Sequence, residues 1–156
     1  MNKMNKIGLL SIASIIIVLD QISKIIVRNN LDVGDQWPTT WRLFHISHIQ
    51  NSGGIFGSFQ NMNSMLLIVS IVILIVLLTY ALKLKEINHL ELISIGLIIG
   101  GGVGNILDRI FIGSVTDFID PIYYPAFNLA DSSIVIGIAV YALNIFRLSG
   151  HHDKKN

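Results

Sequence analysis

Between Gly100 and Asp131 the chain gathers four aspartates, one arginine and two asparagines, and an apolar segment lies on either side. Charges are scarce elsewhere, so this is where chemistry is expected. Asp117 and Asp131 stand out because neither has an obvious basic partner on its own helix face. Two carboxylates held within a few ångströms cannot both ionise easily, and they share a proton. One is then a base that activates water, and the other an acid that polarises a carbonyl. Such a pair hydrolyses a peptide bond without metal, cysteine or covalent intermediate. Spacing alone leaves other roles open. Fourteen positions separate the two across a loop, and no helical geometry forces them together. Asp131 also suits a helix cap, with Asn128 three residues earlier as a competitor, and Asp117 suits a solvated loop acid.

Five further polar residues fall in or beside apolar segments, where a lone charge is costly. Asp20 and Lys24 are four apart and share a helix face, so they can pair. Asn105, Asp108 and Arg109 follow i, i+3, i+4 spacing, and the planar donor fork of Arg109 can neutralise an acid on another helix. For both groups, ionic glue between helices is the more natural role, and it does not exclude orientation of a site. Gly96, Gly100 and Gly104 repeat every four residues and leave one helix face as bare backbone, which permits close helix approach. Asn51, in QNSGGIFG, reads as a turn residue, or as an amide that binds an extended peptide beside exposed glycine backbone. His45 and His48 could form half of a metal site, but no third ligand and no H-E-x-x-H is present. Ser132 and Ser133 lack the context of a nucleophile elbow. No metal and no cofactor are expected.

The elements that must carry these residues are membrane spans. Of the 156 residues 52% are hydrophobic and 13% charged, with mean hydropathy +0.64; soluble domains run near 25% charged. The net charge of +1 leaves no footprint for nucleic acid. Cysteine is absent, which excludes disulfides and thiolate chemistry. The expected fold is an all-α membrane protein, a bundle of four transmembrane helices forming a single domain over residues 1–156. Spans are placed at about 7–27, 65–82, 90–110 and 131–146. The N-terminus resembles a secretory signal, but no small-x-small cleavage site follows, so it is read as a retained first span. Lysines and arginines at the N-terminus, after span two (Lys83, Lys85) and after span four (Arg147, Lys154, Lys155) place both termini in the cytoplasm. Residues 28–63 and 111–130 then face outward. Alternation around Phe44 and Ile46 suggests a short strand or hairpin in the first outer loop. Trp37 and Trp41 suit interface anchors. The second outer loop reads as a turn or two of amphipathic surface structure, limited by Pro121 and Pro125. A disordered tail is expected from Ser149.

Taken together, the chain resembles the bacterial lipoprotein signal peptidases, or signal peptidase II. Five blocks in order carry the likeness: Asp20-Gln21 with Lys24; Asn51 and Gly53 with Phe56 following; Gly101-Gly102 with Gly104-Asn105 and Asp108-Arg109; Val115 with Asp117-Phe118; and Phe127-Asn128 with Ala130-Asp131. The resemblance implies an aspartic endopeptidase whose catalytic acids match Asp117 and Asp131. Its substrate would be a prolipoprotein carrying diacylglycerol on the lipobox cysteine, cleaved just before that cysteine. Asn51, Gly53, Gly104, Asn105, Asp108, Arg109, Asn128 and Ala130 would line or brace the site, supported by Asp20 and Lys24. It further implies a small extracytoplasmic β-rich cradle from the first outer loop, a short surface helix in the second, location in the bacterial cytoplasmic membrane among its lipids, and inhibition by cyclic peptides such as globomycin. A monomer is expected. Gly54-Ile55, where alanines are frequent, and Thr116, where a small apolar residue is usual, depart from the pattern. Two other classes remain in play: an ion- or proton-coupled transporter using its buried acids, and an assembly subunit packing through the glycine face.

Overall fold

A computed structural model of the chain describes residues 3–38, 40, 43–53 and 62–152. Trp41, Gly54, Ile55 and Phe56 lie outside these. The elements run in the order α1 (Lys3–Asn30), β1 (Gln36–Trp37), β2 (Phe44–Asn51), α2 (Asn63–Lys83), α3 (His89–Phe111), β3 (Val115–Pro121) and α4 (Leu129–His152). Among the described residues, four helical stretches are long and apolar enough to cross a membrane: Asn5–Asn30, Asn63–Lys83, His89–Phe111 and Leu129–Arg147. Each exceeds its uncharged core. The additional turns of α1 and α3, with the start of α4, bring polar residues together at one end of the bundle. α4 continues to His152, past Ser149, where a tail is expected. No proline interrupts it, so its hydrogen-bond ladder extends over polar residues.

α3 is the central helix. Half of its apolar window is buried, against 6% for α2, whose side chains are apolar all round as lipid contact demands. The Gly96, Gly100 and Gly104 face receives α1. A Cβ on Gly100 would lie 2.9 Å from the Ala13 carbonyl oxygen, and one on Gly104 would strike the Asp20 carboxylate. Gly101 and Gly137 do the same between α3 and α4, where a Cβ on Gly101 would collide with the carbonyl of Ala130. Glycine is thus required on two sides of α3, because backbones approach there without side chains between them.

The loops joining α1 to α2 and α3 to α4 combine into one antiparallel sheet of order β1-β2-β3. β1 pairs with β2 through Gln36↔Ser47 and Trp37↔Ile46, which is the hairpin expected around Phe44 and Ile46. β2 pairs with β3 from Phe44↔Pro121 to Asn51↔Val115, with a bulge between Ile46 and Ile49. The second loop is therefore a strand, and no surface helix occurs within 112–128. Val115, Thr116, Phe118 and Ile119 favour extended backbone, β2 offers an open edge, and Pro121 and Pro125 oppose a helix. Beyond β3 the chain folds back, and Phe127 exchanges backbone hydrogen bonds with Ile119. His45 and His48 do not converge. His45 stands opposite Asp120 in the sheet, while His48 is buried with Nδ1 2.8 Å from the Leu31 carbonyl.

Candidate active site

The polar end of the bundle is built in two layers. The first is a buried ion cluster joining α1 to α3. Lys24 Nζ lies 2.8 Å from Asp20 Oδ2 and 3.4 Å from Asp108 Oδ2, and donates to Asn105 Oδ1 at 3.0 Å. Asp20 and Lys24 are fully buried and Asp108 nearly so. Two acids against one ammonium would leave a net negative charge in a dry interior. Arg28 removes it, its Nη2 standing 2.7 Å from Asp108 Oδ1. Gln21 Nε2 fills the gaps by donating to Asp20 Oδ2, Asp108 Oδ1 and the Gly104 carbonyl. The remaining oxygen of Asp20 accepts the backbone N–H of Ala130 at 3.0 Å, which ties α1 to the start of α4.

The second layer holds the two candidate acids. Asn128 caps α4: its Oδ1 accepts the N–H of Asp131 at 2.9 Å, and Asp131 Oδ2 accepts the N–H of Asn128 at 3.2 Å. This reciprocal arrangement is a capping box, and it resolves the competition between Asn128 and Asp131 for the cap. It also pins Asp131, whose other oxygen accepts from Asn105 Nδ2 at 2.8 Å. The amide of Asn128 then reaches Asp117 Oδ1 at 2.7 Å and Asn105 Oδ1 at 3.2 Å. Asp117 Oδ2 accepts from Asn51 Nδ2 at 2.9 Å, so a β2 residue steadies an acid on β3. Asn51 Oδ1 takes the N–H of Gly53 at 3.0 Å. Its amide nitrogen thus gives one of its two hydrogens to Asp117, at the wall of the cavity.

One asparagine thereby links both carboxylates, and both line one cavity of about 610 Å3. Asn51, Asn105 and Arg109 share its polar end. Tyr124 and Phe127, in edge contact at 6.2 Å, wall one side. Val135 and Ile136, exposed on the flank of α4, form a lip toward the bundle exterior. Burial pushes the Asp117 carboxyl up to about 6, opposed by the Asn51 bond and assisted by the charge of Asp131; Asn128 and Lys24 pull it down. A carboxyl so placed holds its proton to a higher pH than a solvated aspartate does.

Asp20, Lys24, Asn51, Gly53, Gly104, Asn105, Asp108, Asn128 and Ala130 all fall within these two layers or against them. Asp108 and Arg109 do not act as one face. Successive helical residues diverge by about 100°, so Asp108 turns to α1 while Arg109 turns to the cavity. Among the described residues Arg109 makes no ion pair, and its Nε is buried without a partner. Sequence does not single out Arg28, and it marks Thr116 only as a departure from the family pattern. A signal for Arg28 existed, since positions 20, 24 and 28 lie on one helix face.

Fold and site define a multi-pass membrane protein with two linked carboxylates in a cavity at one end of its bundle. A family model described as signal peptidase (SPase) II matches residues 12–147. A lipoprotein signal peptidase of Halothermothrix orenii is 38% identical over 133 residues, covering 85% of this chain and 91% of that protein. Another, from Geobacter metallireducens, is 32% identical over 153 residues, covering 93% and 94%. A solved bacterial membrane enzyme superposes with TM-score 0.84 at 28% identity, covering 92% of this chain and 90% of the other. A second gives 0.78 at 30% identity, covering 88% and 91%. The chain belongs to the signal peptidase II family. It is accordingly a peptidase that acts in removing signal peptides from lipoproteins.

Proposed function

We propose that this peptidase is of the aspartic type and cleaves diacylglyceryl-modified prolipoproteins immediately before the lipidated cysteine, with Asp117 and Asp131 sharing one proton. The observation that carries this is Asn128 gripping both carboxylates at the rim of one cavity. The ionised member takes a proton from water, and the hydroxide attacks the scissile carbonyl. The protonated member polarises that carbonyl and later protonates the leaving amine, so the pair ends the cycle with its single proton. Asn51, Asn105 and Asn128 hold the acids, Asp20, Lys24 and Asp108 brace the elements that carry them, Gly53, Gly104 and Ala130 allow the close contacts, and Arg109 faces the substrate.

The exposed lip at Val135 and Ile136 suits a substrate that arrives sideways from lipid, its acyl chains lying along α4. The lysine distribution supports a bacterial cytoplasmic membrane location with both termini inside and the site near the outer face, where water is at hand. The spans and sheet work as one unit, as a monomer, and a globomycin-type cyclic peptide would occupy the same cavity. The test is cleavage by purified protein in detergent of matched precursors with and without diacylglycerol, read by mass spectrometry. The new N-terminus should be the lipidated cysteine, and the unlipidated precursor should remain uncut. Equal cutting of both, or cutting elsewhere, refutes the reading.

The pH profile carries a second prediction. The pair works with one proton, and Asp117 loses its proton above about 6. Hydrolysis should therefore decline as pH rises through that region. Around Asp117, the negative charge of Asp131 acts in the direction of burial and Lys24 against it, and Arg109 lies nearby on the cavity wall. Asn51→Ala removes a bond that favours the ionised form, so it should move the alkaline limb upward. A limb unmoved by Asn51→Ala, or a flat profile from about pH 5 to 8, would count against the assignment.

A further inference from the structure

Arg28 holds two elements at once from the C-terminal end of α1. Its Nη2 donates to Asp108 Oδ1 on α3 at 2.7 Å, and its Nε donates to Thr116 Oγ1 on β3 at 2.9 Å. Asp108 closes the triangle, because its Oδ2 accepts the backbone N–H of Thr116 at 2.9 Å. Thr116 is wholly buried and immediately precedes Asp117. Its backbone and its side chain are therefore both fixed, from two different helices. A planar guanidinium can span two acceptors in this way, whereas an ammonium is a single point of charge.

Side chains alternate along a strand. Val115 and Asp117 line the cavity and Thr116 does not; nor does Arg28. The clasp thus sits behind the reacting carboxylates, where it cannot touch substrate. It also supplies a partner for the buried hydroxyl at position 116. Without Arg28 that hydroxyl would be buried and unsatisfied, a costly state.

We propose that Arg28 and Thr116 form a positioning pair that fixes the Asp117 carboxylate relative to Asp131 and so sets the rate of the chemical step, not the binding of substrate. The inference rests on the aspartic reading above. It is tested with purified Arg28→Met, Thr116→Val, Thr116→Ser and the Arg28→Met/Thr116→Val double variant, each assayed for kcat and KM on lipidated precursor and for thermal unfolding. Displacing a reacting group by about 1 Å can cost roughly a hundredfold, so Arg28→Met should lower kcat about ten- to a hundredfold with KM changed less than about twofold. Thr116→Ser should retain the rate. Adding Thr116→Val to Arg28→Met should restore part of it, because no buried hydroxyl then lacks a partner. Additive losses, a change in KM alone, or a fall in kcat that merely follows melting temperature would overturn the proposal. Asp117→Asn in parallel separates the two claims. If it is inactive while Arg28→Met works at the parental rate, the clasp fails and the aspartic pair stands. If Asp117→Asn is active, the aspartic reading fails and the clasp with it.

Discussion

Asp117→Asn is expected to leave a folded four-helix protein whose cleavage of lipidated precursor is slower by about 10²–10⁴-fold, the range for loss of a positioned acid or base. Asp131→Asn should behave alike, since neither half of a shared-proton pair works alone. The fold cost is separable. Asp117 receives amide donors from both Asn51 and Asn128, and an asparagine offers only one acceptor oxygen. One of those donors must then face another, at about 1–3 kcal/mol if it stays buried. Asp131 has the same arrangement with Asn105 and the Asn128 backbone. Single-turnover cleavage together with thermal unfolding in micelles distinguishes a dead site from a loosened one. Turnover near the parental rate in either variant would end the case for the pair.

Lys24→Met should produce the largest loss of stability, about 3–5 kcal/mol, as when one partner is removed from a buried ion pair. Asp20 would keep no counter-charge and Asp108 would keep only Arg28. The loss should spread to the site, because Lys24 also holds the Asn105 oxygen whose amide group bonds Asp131. Combining Lys24→Met with Asp20→Asn removes both charges of one pair and should recover part of the stability. The check is a denaturation midpoint in mixed micelles for the two single variants and the double. A single Lys24→Met variant as stable as the parent would mean that the cluster contributes little to holding α1 against α3.

How much of this could be read from residues alone depended on the range of the interaction. The spans were legible because each is a local run of apolar side chains, and α2 needs nothing but lipid to explain it. The Asp20–Lys24 pair was legible because a helix brings residues four apart together. β3 was not. Its first four residues, Val115 to Phe118, are all buried, so the alternation of a half-exposed strand is missing, and its partner β2 lies in a different loop. The commitment of Asn51 to Asp117, 66 positions away, is hidden for the same reason. From its donor fork alone, Arg109 can neutralise an acid on another helix. The structure instead leaves its Nε unpartnered at the cavity, which no spacing rule announces.

The Asp20–Lys24 bond has a consequence for how the chain is made. Synthesis runs from the N-terminus, so α1 reaches the bilayer while Asn105 and Asp108, more than 80 positions further on, are still untranslated. During that interval the first helix carries its own counter-ion one turn along. That pair enters lipid as a neutral dipole until the third helix emerges and takes up the spare bonds.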